Sequence, residues 1–230
     1  MRAVILAGGL GTRLRPLTYE IPKPLIPVHG KTLTEHVFDI LKKWGVNEVY
    51  LSISYMPDKI KQYFGDGSKF RLNIKYVVEK EPMGTAGPLI LLDKFDSTFI
   101  MVNGDNLFNL NFKKMIEIHK KNKAVATIAL TSVDDPSHYG VARVNGDKII
   151  EFVEKPKKEE APSKLINSGY YILEPEVFDI VKGKDFAMLE RDVFPLLAKQ
   201  GKLFGYVDKG QWFDIGTFER WEQVIKKMGF

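Results

Sequence analysis

Leu6-Ala7-Gly8-Gly9-Leu10-Gly11-Thr12-Arg13-Leu14-Arg15 follows the apolar residues Ala3-Val4-Ile5 and decides how this chain reads. A short apolar run closed by glycines predicts a buried strand feeding a tight loop. Glycines let backbone approach an anion closely, and successive N–H groups there form an anion-binding nest. Two familiar loops of this kind fail on spacing. A dinucleotide fingerprint built on Gly9 and Gly11 needs a third glycine at position 14, where Leu14 stands. A Walker A loop ending in Gly30-Lys31-Thr32 needs a glycine where Leu25 stands. The glycines lead instead into a run of cations: Arg13, Arg15, then Lys23 inside Lys23-Pro24-Leu25-Ile26-Pro27-Val28. Arginine suits bidentate phosphate contacts, and prolines fix a lysine in place as a point charge.

Outward from this loop, strands and helices alternate. Leu33 to Trp44 has helical apolar spacing with Gly45 as its stop. Strands are predicted over Glu48 to Ser54, Leu72 to Glu79, Thr98 to Asn103 and Ala124 to Thr131, with helices over Asp58 to Phe64 and Phe112 to Lys121. That alternation predicts an α/β fold with a mainly parallel, mixed sheet and helices on both faces. Beyond about residue 138 the pattern changes. Val141 to Val144 and Lys148 to Val153 flank Asn145-Gly146-Asp147, a hairpin signal. Ile166 to Leu173 and Leu203 to Val207 read as strands; Glu174 to Val181, Leu189 to Lys199 and Thr217 to Lys227 read as helices. With no linker and no internal repeat, one domain over 1–230 is expected.

The chain has 230 residues, 44% hydrophobic and 27% charged, with a net charge of +5 and a pI near 9.1. A basic balance fits polyanionic ligands. The lysines are interspersed with acids, as in Lys157-Lys158-Glu159-Glu160, and no basic block is interleaved with aromatics, so neither nucleic acid nor a membrane is the expected partner. Cysteine is absent, which excludes disulfides and thiolate metal sites and fits a cytoplasmic protein. The apolar run at the N-terminus is too short for a signal-peptide core or a membrane span.

Leu6 through Thr18, followed by Lys23-Pro24-Leu25-Ile26-Pro27-Val28, resembles the signature of the sugar nucleotidyltransferases, the NDP-sugar pyrophosphorylases. Later landmarks extend the resemblance over nearly the whole chain: Gly84-Thr85-Ala86-Gly87, Asn103-Gly104-Asp105, Glu154-Lys155-Pro156, Asn167-Ser168-Gly169 and Trp212-Phe213-Asp214-Ile215-Gly216-Thr217. The resemblance implies a Rossmann-like nucleotide-diphospho-sugar transferase fold, with a nucleotide-binding part over about 1–110 and a sugar-binding part over about 111–230. It also implies transfer from a nucleoside triphosphate to a sugar 1-phosphate, with magnesium as cofactor. Arg13 would hold the departing pyrophosphate and Lys23 the α-phosphate. Leu6, Gly8, Gly9, Gly11, Thr12, Glu79, Gly84 and Thr85 would bind the nucleotide. Gly140, Glu154, Lys155 and Asn167 would bind the sugar phosphate, and Asp105 and Asp214 the metal. Such transfer depends on positioning and charge neutralisation, so no protein nucleophile is required.

Glu79 lies five residues before Gly84, where the family carries its base-reading side chain. A carboxylate offers acceptors only, which matches the adjacent N1–H and N2–H₂ of guanine. The run Glu81-Pro82-Met83-Gly84-Thr85-Ala86-Gly87-Pro88-Leu89 also resembles mannose-1-phosphate guanylyltransferases. GTP with mannose 1-phosphate is therefore expected, and a manno-heptose 1-phosphate is the second sugar. A UTP- or dTTP-using glucose-1-phosphate enzyme is the alternative within the class, and an NDP-sugar-binding regulator the alternative outside it. A regulator would have lost a key cation or carboxylate, whereas Arg13, Lys23, Asp105 and Asp214 are all present. The left-handed β-helix that many relatives carry is not expected here, and a homo-oligomer is allowed but not specified.

Overall fold

The computed structural model describes residues 1–229. In chain order its strands and helices are β1 (Arg2–Leu6), β2 (Pro27–Val28), β3 (Lys31–Thr32), α1 (Leu33–Lys43), β4 (Glu48–Ile53), α2 (Pro57–Phe64), β5 (Asn73–Val78), α3 (Gly87–Leu91), β6 (Phe99–Asn103) and β7 (Asn106–Phe108). They continue as α4 (Phe112–Lys121), β8 (Ala126–Ser132), β9 (Gly140–Asn145), β10 (Lys148–Glu154), β11 (Leu165–Leu173), α5 (Glu176–Val181), α6 (Phe194–Lys199), β12 (Leu203–Val207), β13 (Trp212–Asp214) and α7 (Phe218–Lys227). Two compact units result, each assembled from separated stretches. The first comprises Met1–Pro82, Val102–Asn109 and Gln211–Phe230; the second comprises Met83–Met101 and Leu110–Gly210.

In the first unit Ala3, Val4 and Ile5 are fully buried, so β1 needs partners along both edges and cover on both faces. It pairs in parallel with β4, from Arg2↔Glu48 to Leu6↔Ser52, and β4 pairs in parallel with β5, from Glu48↔Asn73 to Ile53↔Val78. All three strands thus end side by side, at Leu6, Ile53 and Val78, which is where open α/β sheets keep their ligands. Helix α1 starts in a capping box: Glu35 N donates to Thr32 Oγ1 at 3.2 Å and Thr32 N donates to Glu35 Oε2 at 2.5 Å. It buries Leu33, Val37, Phe38, Ile40 and Leu41, and Phe38 meets Phe64 of α2 edge-on at 5.3 Å. Gly45 adopts the left-handed φ of 77° expected of its stop. The sequence reading did not anticipate β7 and β13. They form a three-residue antiparallel ribbon, Trp212↔Phe108 to Asp214↔Asn106, too short to carry a readable period.

The second unit has strand order β6-β11-β8-β12-β10-β9 and is mixed: β8 and β12 run parallel, while β11 with β8, β10 with β12, and β10 with β9 run antiparallel. The expected hairpin is the β9–β10 turn, with Gly146 at φ 60°. Strand β11 bulges between Asn167 and Tyr171, where Gly169 takes φ 83°. The predicted helix Leu189 to Lys199 is interrupted. A π-turn spans Leu189–Val193, with Phe194 N donating to Leu189 O, before α6 begins. Pro195 explains the break, because it has no N–H to continue the ladder. Among the described residues no helix is long and apolar enough to cross a membrane.

Candidate active site

The glycine loop leaves the end of β1 and is braced by β4 and by its own turn. Ala7 N donates to Ser52 O at 2.8 Å, and Ser54 Oγ donates to Gly8 O at 2.5 Å. A Cβ on Gly8 would approach Ser54 Oγ to 3.1 Å, so the loop sits tight against β4 there. Gly11 has φ 61°, and a Cβ would strike Thr18 Cγ2 at 2.8 Å, while buried Thr18 donates its hydroxyl to Gly11 O at 2.9 Å. Gly9 differs: a Cβ there would meet nothing within 4 Å. The loop is therefore held at Gly8 and Gly11 and open at Gly9, a frame for an anion resting on backbone N–H groups. Leu6 O accepts from Gly104 N at 2.8 Å, which ties β1's end to the segment leading into Asp105. Thr12 opens a 3₁₀ turn, and Thr12 and Arg13 are exposed.

Beside this frame stands a charged cluster. Lys23 Nζ lies 2.5 Å from Asp105 Oδ2, with only 13% of the lysine side chain exposed. The β7–β13 ribbon brings the second carboxylate in: Asp214 stands opposite Asn106, and Ile215 N donates to Asp105 O at 2.9 Å. A Cβ on Gly216 would lie 2.9 Å from Asp214 Oδ1 and 3.0 Å from Arg13 Nη2, so the Arg13 guanidinium and the Asp214 carboxylate flank that glycine. Asp214 also forms an ion pair with Arg220 of α7, which the sequence reading did not single out. Burial and the nearby charge of Asp105 push the Asp214 carboxyl above its ordinary value, while Arg220, Lys23 and Arg13 pull the other way. Two carboxylates that repel each other beside a loop shaped for an anion fit a hard divalent cation, which takes one or two carboxylates and completes its shell with other oxygen ligands and water. Among the described residues no cluster of three or more His, Cys, Asp or Glu side chains offers a fuller cage.

Glu79 follows β5 directly and is buried; Ser52 Oγ donates to its Oε1 at 2.5 Å. Ser52 was not anticipated, because only the parallel pairing of β4 with β5 makes it a neighbour of Glu79.

The remaining predicted residues lie in the second unit. Gly84 has φ 85°, and a Cβ would strike Ala187 O at 2.3 Å, so only glycine fits beside that backbone. Thr85 Oγ1 donates to Glu190 Oε2 at 2.5 Å and accepts from Leu189 N at 2.9 Å. Gly140 pairs with Glu154 across β9 and β10, and a Cβ on it would crowd Phe152 Cζ at 2.4 Å and Glu154 Oε2 at 3.0 Å. Glu154 Oε2 is buried with no hydrogen-bond partner among the described residues. Lys155 is exposed, sits 3.5 Å from Glu154 Oε1, and holds φ 49°, a conformation that costs a non-glycine residue energy. Asn167 is buried in its own bulge: Nδ2 donates to Tyr171 Oη at 2.9 Å and Oδ1 accepts from Gly169 N at 2.9 Å. Glu190, also unanticipated, is buried, and its carboxyl is pushed above the usual range by that burial, with the charge of Glu154 adding to the effect.

A family described as nucleotidyl transferase matches residues 2–229. Among curated proteins, the mannose-1-phosphate guanylyltransferase catalytic subunit beta of Xenopus tropicalis is 41% identical over 224 residues, covering 94% of this chain and 61% of that protein. The mannose-1-phosphate guanylyltransferase of Mycobacterium tuberculosis is 39% identical with the same coverage. The chain thus spans 61% of the length of these curated relatives. Among solved structures, HddC from Yersinia pseudotuberculosis complexed with GMP-PN aligns at TM-score 0.79 and 30% identity, over 99% of each chain. A candidate glucose-1-phosphate thymidylyltransferase from Bacillus anthracis aligns at TM-score 0.87 and 28% identity, over 100% of this chain and 97% of that one.

Proposed function

The chain belongs to the nucleotidyl transferase family, and from that premise we propose that it joins GTP to mannose 1-phosphate, releasing pyrophosphate. A phosphate oxygen of the sugar 1-phosphate attacks the α-phosphorus, the bond to the β-phosphate oxygen breaks, and pyrophosphate departs. The nucleophile belongs to the substrate, so the protein's task is to hold two polyanions and neutralise charge as it shifts. The single observation that carries this reading is the cluster of Lys23, Arg13, Asp105 and Asp214 beside a glycine loop braced at both ends and open at Gly9. Lys23, held on Asp105, serves the α-phosphate and Arg13 the departing pyrophosphate, each a cation where negative charge grows. Leu6, Gly8, Gly9, Gly11, Thr12, Gly84 and Thr85 serve the nucleotide. Asp105 and Asp214 are the ligands for magnesium, which when bound supplies Lewis-acid charge to the phosphate oxygens. Gly140, Glu154, Lys155 and Asn167 serve the sugar phosphate, with the unpartnered Oε2 of Glu154 as acceptor for a sugar hydroxyl.

Guanine is favoured by Glu79, a buried acceptor-only side chain that suits two adjacent N–H donors. The GMP-PN complex of the Yersinia relative and the names of the curated relatives support the same base. A manno-heptose 1-phosphate is the second sugar, and UTP or dTTP with glucose 1-phosphate is the second pair, favoured by the Bacillus anthracis neighbour. A cysteine-free chain suits the cytoplasm. The test is pyrophosphate release with GTP, UTP, dTTP, ATP or CTP crossed with several sugar 1-phosphates, with and without magnesium. Magnesium-dependent release with GTP and mannose 1-phosphate is expected. Release only with dTTP or UTP and glucose 1-phosphate would overturn the guanine reading, and no release with any pair would overturn the enzyme.

A further inference from the structure

Each of the two clustered carboxylates carries a protein cation of its own. Lys23 takes Asp105, from a turn between prolines. Arg220 takes Asp214, from the first turn of α7. The helix holding Arg220 is anchored on two sides. Thr217 caps its N-terminus by accepting from Arg220 N at 3.4 Å, and Trp221 Nε1 donates to Pro27 O at 2.9 Å. Arg220 therefore sits on a held helix rather than on a free arm, with about a quarter of its side chain exposed (27%) and Asp214 less so (12%).

We propose that Arg220 competes with the divalent cation for Asp214 and so sets the concentration at which the site loads. The inference rests on the reading of Asp105 and Asp214 as metal ligands. A guanidinium stays charged throughout the working pH range, and two like charges sharing one poorly solvated carboxylate repel each other. Each oxygen that the guanidinium occupies is an oxygen on which the metal must displace it. Arg220 is in this sense a tuning residue: it acts on the metal through Asp214 and touches no reacting atom. The opposite role, a brace that orients Asp214 for the metal, has the opposite signature, because removing a brace weakens metal binding.

The test is a titration of the nucleotide-free chain with Mn²⁺, with free ion read by electron paramagnetic resonance, so that no catalysis is needed. Arg220→Gln keeps a donor for Asp214 and removes the charge; about fivefold tighter Mn²⁺ binding, or more, is expected. Arg220→Lys retains a charge without the planar fork and is expected to tighten binding by about twofold to threefold. That variant carries the test should the glutamine variant fail to fold. Thr217→Ala weakens the same helix end without touching charge and should leave the Mn²⁺ constant alone; if it tightens binding as the glutamine variant does, a loosened helix is the cause and the proposal falls. Asp214→Asn separates the two layers. Loss of Mn²⁺ binding there, with unchanged or weaker binding in Arg220→Gln, overturns the role of Arg220 and leaves the metal reading standing. Wild-type binding by Asp214→Asn overturns both.

Discussion

The two units each hold a pair of acids, and the pairs are built differently. In the first, Asp105 and Asp214 are accompanied by Lys23, Arg220 and Arg13, three cations for two carboxylates. In the second, Glu154 and Glu190 have Lys155 close by, with its side chain 61% exposed and 3.5 Å from Glu154 Oε1. An excess of cations suits a ligand with several negative charges, such as a triphosphate. An excess of buried acceptor oxygen, one of it unpartnered, suits a ligand rich in hydroxyl donors with a single phosphate. On the proposed function, the charge balance around each acid pair therefore suits one substrate more than the other.

Removing one cation from each unit should expose the difference most strongly. Lys23→Gln strips Asp105 of its partner and the transferred phosphate of a fixed charge, and a fall of about 10³-fold in the rate of pyrophosphate release is expected. Lys155→Gln removes an exposed cation and should cost about tenfold, mainly in KM for the sugar phosphate. Equal losses in kcat for both variants would break the comparison.

Glu154→Gln comes next. The substitution keeps shape and replaces an acceptor oxygen with an amide donor in one of two orientations. KM for the sugar 1-phosphate should rise by about tenfold to a hundredfold, with KM for the nucleotide unchanged. A rise confined to the nucleotide would show that the second unit's acids serve the other substrate.

A pair of glycine variants then separates packing from function. Gly140→Ala drives a methyl into Phe152 Cζ at 2.4 Å and Glu154 Oε2 at 3.0 Å. A loss of about 1–3 kcal/mol in stability is expected, visible as a lower Tm, together with weaker sugar binding. Gly9→Ala meets nothing within 4 Å, so Tm should hold while KM for the nucleotide rises. A lower Tm for Gly9→Ala would mean that the loop is braced there too.

Much of this was legible from local pattern. The glycine loop, the Lys23 turn, α1 with its stop at Gly45 and the β9–β10 hairpin are contiguous signals, and each appears where the residues predict it. The contacts that escaped the pattern depend on pairing between distant segments. Ser52 meets Glu79 across 27 positions, and Thr85 meets Glu190 across 105. Arg220 is close in sequence to Asp214, but its direction depends on how α7 leaves the β7–β13 ribbon, which is itself three residues long. Asn167, read as a ligand residue, also uses one N–H of Nδ2 and one lone pair of Oδ1 to hold the β11 bulge, with Tyr171 and Gly169 as partners, and an amide carries two of each. Residue type indicates what a side chain can do, and the register of distant strands decides which neighbours it meets.

The smallest expected effect bears on the acids themselves. Glu190 is buried, and burial, with the charge of Glu154 behind it, raises its carboxyl from the ordinary value of 4.5. The folded chain therefore keeps this proton to higher pH than the unfolded chain does. Stability from Glu190 is greatest below about pH 4.5, falls as the pH rises between the unfolded and folded values, and is level above the folded one. Glu190→Gln keeps an acceptor for the Thr85 hydroxyl and cannot ionise, so it should match the wild type at pH 4 and exceed it at pH 7. Thermal melts across that range are expected to show a gap of about a few degrees at neutral pH. Asp214 is raised as well, by burial first and by the charge of Asp105, with Arg220, Lys23 and Arg13 opposing the shift. Asp214→Asn removes the same kind of ionisation cost but also breaks the ion pair with Arg220, so a smaller gain at pH 7 than for Glu190→Gln, or none, is expected. If instead Glu190→Gln proves the less stable protein at pH 7, its carboxylate has a counter-charge as that of Asp214 does, and the contrast between the two acid pairs disappears.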